Sequence, residues 1–142
     1  MKDIKRFFAT KDIFARHCGI ELLEVEPGFA KVSMKIEPCH FNAAKTVHGG
    51  AIFTLADFAF AVASNSHGTL SMGINTSVSF VKAATRGTLY AAAREQARNP
   101  KLASYLVEVT DDDGEVVAIF QGMVYRKKES IISAERDDAA AH

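Results

Sequence analysis

A chain of 142 residues, 48% of them hydrophobic, is long enough to bury a sizeable core in one domain, and no second domain is expected. Its 17 basic and 17 acidic residues cancel, which removes any global electrostatic case for nucleic acid or an anionic membrane as partner. Two cysteines without metal-ligand spacing, Cys18 and Cys39, and an N-terminus unlike a signal peptide point to a cytoplasmic protein with reduced thiols. A bridge between the two is the lesser reading.

Residues Lys2 to His17 place Ile4, Phe7, Phe8, Phe14 and Ala15 at helical spacing among charges, with Gly19 as a stop, and predict one amphipathic helix. Ile20 to Glu26 and Phe29 to Ile36 alternate like strands across the turn dipeptide Pro27-Gly28, a hairpin. Pro38 to Val47 has no periodicity and is a loop feeding a helix that begins near Gly49. That helix, apolar from Ala51 to Ser64 except for Asp57, is too short to span a bilayer, which takes about 20 residues, and is expected to be a buried core helix.

Four more strands follow: Gly73 to Lys82, Thr88 to Arg98, Lys101 to Thr110 and Glu115 to Arg126. Asn99-Pro100 and Asp111-Asp112-Asp113-Gly114 mark tight turns, and the three aspartates read as a solvated turn rather than a metal site. Residues 127–142, charged and alanine-rich, are expected to be a mobile tail or a frayed helix beyond a single domain of residues 1–126. The fold class is therefore α+β. A helix apolar on nearly every side needs cover all round, and a six-stranded antiparallel sheet curled around it supplies that cover. Strands such as Val116 to Val124, apolar on both faces, add the expectation of a further subunit.

The chemistry concentrates at Asn42, His48, Gly49, Gly50 and Asp57. An acid in an apolar helix costs free energy unless compensated, so such acids favour working sites. His48-Gly49-Gly50 brings bare backbone to the helix N-terminus, where amides are unpaired and the dipole is positive, a setting for a developing oxyanion. Gly49 and Asp57 are 8 positions apart, about 12 Å along the axis at a rise of about 1.5 Å per residue, so they cannot serve one carbonyl within one chain. If both act, a two-fold axis relating antiparallel helices brings Gly49 of one chain opposite Asp57 of the other.

Asn42, His48-Gly49-Gly50, Leu55-Ala56-Asp57, Ala59-Phe60-Ala61 and Asn65-Ser66 with Gly68 together resemble the hotdog-fold acyl-CoA thioesterases, in particular their PaaI-like, phenylacetate-degradation branch. The likeness runs from about residue 10 to residue 126. It implies a hotdog homodimer with composite active sites, paired into a homotetramer, that hydrolyses an acyl-CoA thioester without metal or cofactor. It also implies Asp57 as base or nucleophile, Gly49 as oxyanion donor, Asn42 as positioner of the water or carboxylate, and His48 as orienter of the Gly49 peptide. Gly50 joins the substrate-binding backbone. Where some relatives place Ser or Thr on the strand after the helix, this chain aligns Gly73, so Asn75, Thr76 or Ser77 is expected to supply the polar contact. Lys82 is followed by Ala83 where many relatives have proline, and is assigned to the coenzyme A phosphates.

Blander readings accompany these. His48 could be a hydrogen-bonded loop histidine without a proton-transfer role, and His17, His40, His67 and His142 have no metal-like spacing and are expected to be structural or exposed. Phe53, Phe58 and Phe60 are to divide between core and acyl pocket. Arg94, Arg98, Lys101, Lys127 and Lys128 read as a solvated rim from which coenzyme A phosphates would draw a few cations. Neither a Gly-x-Ser-x-Gly elbow nor a glycine-rich phosphate loop occurs. The leading function is hydrolysis of an acyl-CoA, including an aromatic, phenylacetyl-type one. A non-catalytic acyl-CoA sensor is the alternative, which Asp57 argues against, and a hotdog dehydratase is weaker still.

Overall fold

The computed structural model describes residues 1–132. Helices α1 (Lys2–Lys11) and α2 (Ile13–His17) precede the hairpin β1 (Ile20–Glu26) and β2 (Phe29–Lys35). Helix α3 (Gly49–Asn65) comes next, and then β3 (Thr69–Phe80), β4 (Thr88–Arg98), β5 (Leu102–Thr110) and β6 (Val116–Ser130). The six strands form one sheet in the order β1-β2-β4-β5-β6-β3, every neighbouring pair antiparallel. The expected architecture, a six-stranded antiparallel sheet around a long helix, is the one found. No helix among the described residues is long and apolar enough to cross a membrane.

Packing follows from the two periodicities. Along β5 the residues Ala103, Tyr105, Val107 and Val109 are buried while their neighbours are not, so one face of the strand meets α3. Ile52, Leu55, Ala56, Phe58, Ala59, Phe60, Val62 and Ala63 of α3 are buried against it. All three helix phenylalanines join this core: Phe58 meets Phe8 of α1 at 6.3 Å between ring centroids, Phe53 meets Phe120 at 5.5 Å, and Phe60 lies between Tyr105 and Phe120. Gly73 and Gly122 make room for the Phe60 ring, and a Cβ on Gly122 would come 2.6 Å from it.

The far end of α3 is clipped down by polar side chains. Asn65 accepts the Ser71 N–H at 2.8 Å and donates to the Ala61 carbonyl at 2.8 Å, so it joins the helix end to the start of β3. Ser66 accepts the Gly28 N–H at 2.7 Å and donates to Ala63, fastening the β1–β2 turn to the same end. Nearby, Glu95 accepts from His67 Nε2 at 2.9 Å and from the Tyr105 hydroxyl at 3.0 Å. Burial works to raise the Glu95 carboxyl, but these hydrogen bonds and the charges of His67 and Arg98 hold it below the ordinary glutamate range.

Three boundaries differ from the sequence reading by more than two residues. The single helix over Lys2 to His17 is two, because Asp12 leaves the helical region (φ −82°, ψ 87°) and its carboxylate caps α2 by accepting the Ala15 N–H at 3.0 Å. Strand β3 begins at Thr69 rather than Gly73, and β6 runs to Ser130 rather than Arg126. The two extensions pair with each other, Thr69 opposite Ser130 and Ser71 opposite Arg126. Ile131 then buries itself in the core, so ordered structure continues past residue 126. The expectation of a mobile tail otherwise concerns residues 133–142, which lie outside the described residues.

Gly122→Ala should test the close approach of sheet to helix. Overpacking against Phe60 is expected to cost about 1–3 kcal/mol, read as a lowered midpoint in urea denaturation with unchanged slope.

Candidate active site

The loop between β2 and α3 is built largely by its own side chains. A short 3₁₀ turn, Pro38–His40, opens it. His40 is buried, accepts the Glu37 N–H through Nδ1 at 3.0 Å and donates from Nε2 to the Cys18 carbonyl at 2.7 Å, which makes it structural, as expected. Asn42 closes the next turn: Oδ1 accepts the Ala44 N–H at 2.9 Å and the Thr46 N–H at 3.1 Å, and Nδ2 donates to Thr46 Oγ1 at 3.0 Å. Lys45 takes a left-handed conformation (φ 63°) inside that ring. The structure thus places Asn42 as the organiser of the loop, with its carbonyl oxygen committed to backbone amides.

The ring delivers His48 to the helix start, where its own N–H reaches the His40 carbonyl at 2.7 Å. His48 is the N-cap of α3, and its Nδ1 accepts the Gly50 N–H at 2.8 Å. Its carbonyl accepts from Ala51 at 2.9 Å and Ile52 at 3.2 Å. Because a trans peptide is planar, that carbonyl direction turns the Gly49 N–H the opposite way, outward from the helix end. No acceptor among the described residues takes it. His48 therefore orients the Gly49 peptide, by capping Gly50 with its ring and by anchoring its own carbonyl. A Cβ on Gly50 would come 2.9 Å from His48 Nδ1, so a side chain there would displace the cap. A Cβ on Gly49 would sit 3.1 Å from the Phe80 ring, a neighbour that the sequence did not reveal.

Asp57 lies two turns along and is half-buried; from Leu55 to Asn65 only it and Ala61 stay partly open. Burial raises its carboxyl above the ordinary aspartate range, and the nearby charge of Asp12 adds to the rise. No hydrogen bond or ion pair among the described residues offsets that cost. The acid and the open amide thus share one side of one helix, too far apart to meet within a single chain.

The three β3 candidates separate. Thr76 pairs with Gly122, which meets Phe60, and so it faces α3. Asn75 pairs with Met123 and Ser77 with Gln121, on the opposite face, where they line a groove with Gln96, Ser104 and Leu106. Strand alternation therefore keeps Asn75 and Ser77 away from the Asp57 and Gly49 of their own chain. Lys82 leaves the end of β3 and is held by Asp111 at 2.8 Å and by Glu115. The hydrogen bonds it donates to these two carboxylates raise its ammonium well above the ordinary lysine range. A phosphate would have to compete with both.

The chain is similar to known proteins in both sequence and fold. The model of the thioesterase superfamily matches residues 44–118, a span that holds Gly49 and Asp57. A protein of Archaeoglobus fulgidus is 42% identical over 127 residues, covering 89% of this chain and 82% of that one. The acyl-coenzyme A thioesterase PaaI of Escherichia coli is 32% identical over 81% of this chain and 83% of its own. The structure of E. coli PaaI, from the phenylacetic acid degradation operon, superposes with a TM-score of 0.88 over 91% of this chain and 94% of that one, at 28% identity. A mutant structure of the phenylacetic acid degradation protein PaaI of Thermus thermophilus gives 0.77 over 80% and 98%, at 33% identity.

The raised carboxyl makes a prediction about stability. A folded-state pKa above the unfolded one means that the ionised acid opposes folding, so its cost is fully present above the folded pKa and vanishes as pH falls below the unfolded one. Asp57→Asn should therefore melt at a higher temperature than wild type near pH 7, with the gain disappearing toward about pH 4, the ordinary aspartate range, in parallel thermal scans.

Proposed function

This chain belongs to the thioesterase superfamily, in its PaaI-like hotdog branch, and from that premise we propose that it hydrolyses acyl-CoA thioesters at two composite sites in a homodimer. The family makes it a thioester hydrolase. The observation that carries the finer reading is the pairing on α3 of an outward Gly49 N–H with an unpartnered, partly exposed Asp57.

The sheet supports the dimer. β3 is an edge strand of 12 residues with Met72 and Ile74 exposed, an edge open to a second copy. α3 runs antiparallel to it, with Gly49 beside Phe80 and Phe60 beside Gly73. Joining two β3 edges about a two-fold axis sets the two α3 helices antiparallel, with Gly49 of each opposite Asp57 of the other. The outer sheet face, with Met123 and Tyr125 exposed, suits the pairing of two dimers into a tetramer.

In this reading the thioester carbonyl accepts the Gly49 N–H at the positive helix end. Asp57 of the second copy takes a proton from water as the water oxygen attacks the carbonyl carbon. The tetrahedral oxyanion collapses, the C–S bond breaks, and the thiolate recovers the proton from Asp57, leaving a carboxylic acid and free coenzyme A. A raised carboxyl pKa makes Asp57 a better base for this step than an ordinary aspartate. The relatives named for phenylacetic acid degradation favour an aromatic, phenylacetyl-type acyl group. The free thiols of Cys18 and Cys39 fit a cytoplasmic location.

Thiol release from an acyl-CoA panel tests the reaction. Asp57→Ala should bind substrate yet lose at least about 10²-fold in kcat, roughly 2.7 kcal/mol of transition-state stabilisation; undiminished turnover would refute the role given to Asp57, and no thiol release by the wild type would favour a binding protein. The shared site is tested by subunit mixing. Gly49→Pro removes the amide hydrogen at a helix position that tolerates proline, with its added ring pressing on Phe80, and together with Asp57→Asn it gives two inactive homodimers. Their hybrid holds one intact site and should recover activity, and a hybrid as inactive as its parents would refute the composite arrangement.

A further inference from the structure

Lys82 and the acidic turn after β5 are charged groups that the proposed reaction leaves unused. The segment between β3 and β4, residues 81–87, forms no helix or strand, so its course depends on what holds it. It brackets the start of α3. Just before it, the Phe80 ring lies against Gly49, where a Cβ would come 3.1 Å from the ring. At its middle, the Ala84 carbonyl accepts the Val47 N–H at 2.9 Å, and Val47 immediately precedes the His48 cap. The Gly49 peptide is thus fixed by a ring contact and, two residues earlier, by a backbone hydrogen bond to this same stretch.

The turn between β5 and β6 holds the segment at both ends. Val81 and Lys82 share one backbone acceptor, the Val117 carbonyl, at 2.8 and 3.2 Å. The Lys82 ammonium adds a second tether there, donating to Asp111 Oδ2 at 2.8 Å and to Glu115. At the far end the Gly87 carbonyl accepts the Ile36 N–H at 2.9 Å, and Asp112 Oδ2 accepts the Thr88 N–H at 3.0 Å. A Cβ on Gly87 would collide with that carboxylate. The turn is braced from within, because Asp111 Oδ1 accepts the Asp113 and Glu115 N–H groups, each at 3.0 Å. The hydrogen bond between them raises the Lys82 ammonium and lowers the Asp111 carboxyl, so both stay charged at neutral pH.

We propose that Lys82, clasped by Asp111 and Glu115, is a positioning residue for the Gly49 oxyanion donor rather than a ligand of the coenzyme A phosphates. It anchors the stretch that sets Phe80 and Val47 beside the Gly49 peptide. The inference rests on the reading of Gly49 as oxyanion donor. When the clasp is lost, the stretch shifts and the Gly49 N–H leaves its aim, so the chemical step slows while the substrate still binds.

The test compares two thioesters of one acyl group in the full-length enzyme, one on coenzyme A and one on pantetheine, which lacks the nucleotide phosphates. Lys82→Met should lose roughly 10-fold in kcat on both, inside the about 10²-fold that a misplacement of about 1 Å can cost, with KM little changed. Glu115→Gln should show a smaller loss of the same kind, and Lys82→Arg should restore most of the rate. Asp113→Asn, whose carboxylate is outside the clasp, should leave the rate unchanged. A rise in KM confined to the coenzyme A thioester would make Lys82 a phosphate ligand and overturn the inference, as would unaltered kinetics in Lys82→Met. The Gly49 N–H resonance in ¹H–¹⁵N spectra reads the same coupling without turnover. It should move in Lys82→Met and hold in Asp113→Asn, and a resonance unmoved by Lys82→Met would overturn the inference. Absence of thiol release by the wild type would defeat the hydrolase reading instead, and the Gly49 resonance would still decide whether Lys82 anchors that peptide.

Discussion

Helix α3 is apolar around most of its circumference, and such a helix persists only where other elements cover it. The sheet curls around it, α1 lays Phe8 on Phe58, and Asn65 and Ser66 clip its C-terminal end to β3 and to the β1–β2 turn. Past its first turns, from Leu55 to Asn65, what stays partly open is Asp57 and Ala61 alone. Because the rest of that stretch is occupied by packing, an acid there has one place to be. The thioesterase reading thus follows from how the core is sealed as much as from the acid itself.

Each site residue is held by something structural. Asn42 spends its side chain on the loop, the loop delivers His48, and His48 spends its ring on Gly50 and its carbonyl on Ala51 and Ile52. The Gly49 amide is open because every neighbouring group has been used. Preorganised donors of this kind need little rearrangement when charge develops in front of them. Asp57 stands in contrast, with no hydrogen-bond partner among the described residues and with burial working against its charge.

Much of this was legible in the residues. The run Ala51 to Ser64 and the alternating strands carry strong periodicities, so α3 and all six strands were evident, and the spacing of Gly49 and Asp57 already implied that the two, if both act, do so from different chains. The break at Asp12 was hidden because helical spacing continues on both sides of it, although an Asp three residues before Ala15 is the signal of a cap. The end of β6 was hidden because Lys127 to Ser130 lack apolar alternation and are ordered by pairing, Thr69 opposite Ser130, whereas Thr69 to Met72 do alternate and were a signal passed over. The facing of Asn75, Thr76 and Ser77 depends on register, and an irregularity between Gly73 and Asn75 shifts it within the strand. Neither the acids that hold Lys82 nor the Phe80 ring beneath Gly49 leaves any mark in local sequence.

The first turn of α3 contains no acidic side chain, so nothing in the helix itself cancels the positive end of its dipole beside Gly49. An open amide in such a field attracts any anionic oxygen, and in the proposed reaction the carboxylate product is one. Release of that product then depends on repulsion from the Asp57 carboxylate across the site, once that group has given its proton to the departing thiolate. The acid that starts the reaction would also clear the site, and the free acid would be only a weak inhibitor of the next turnover.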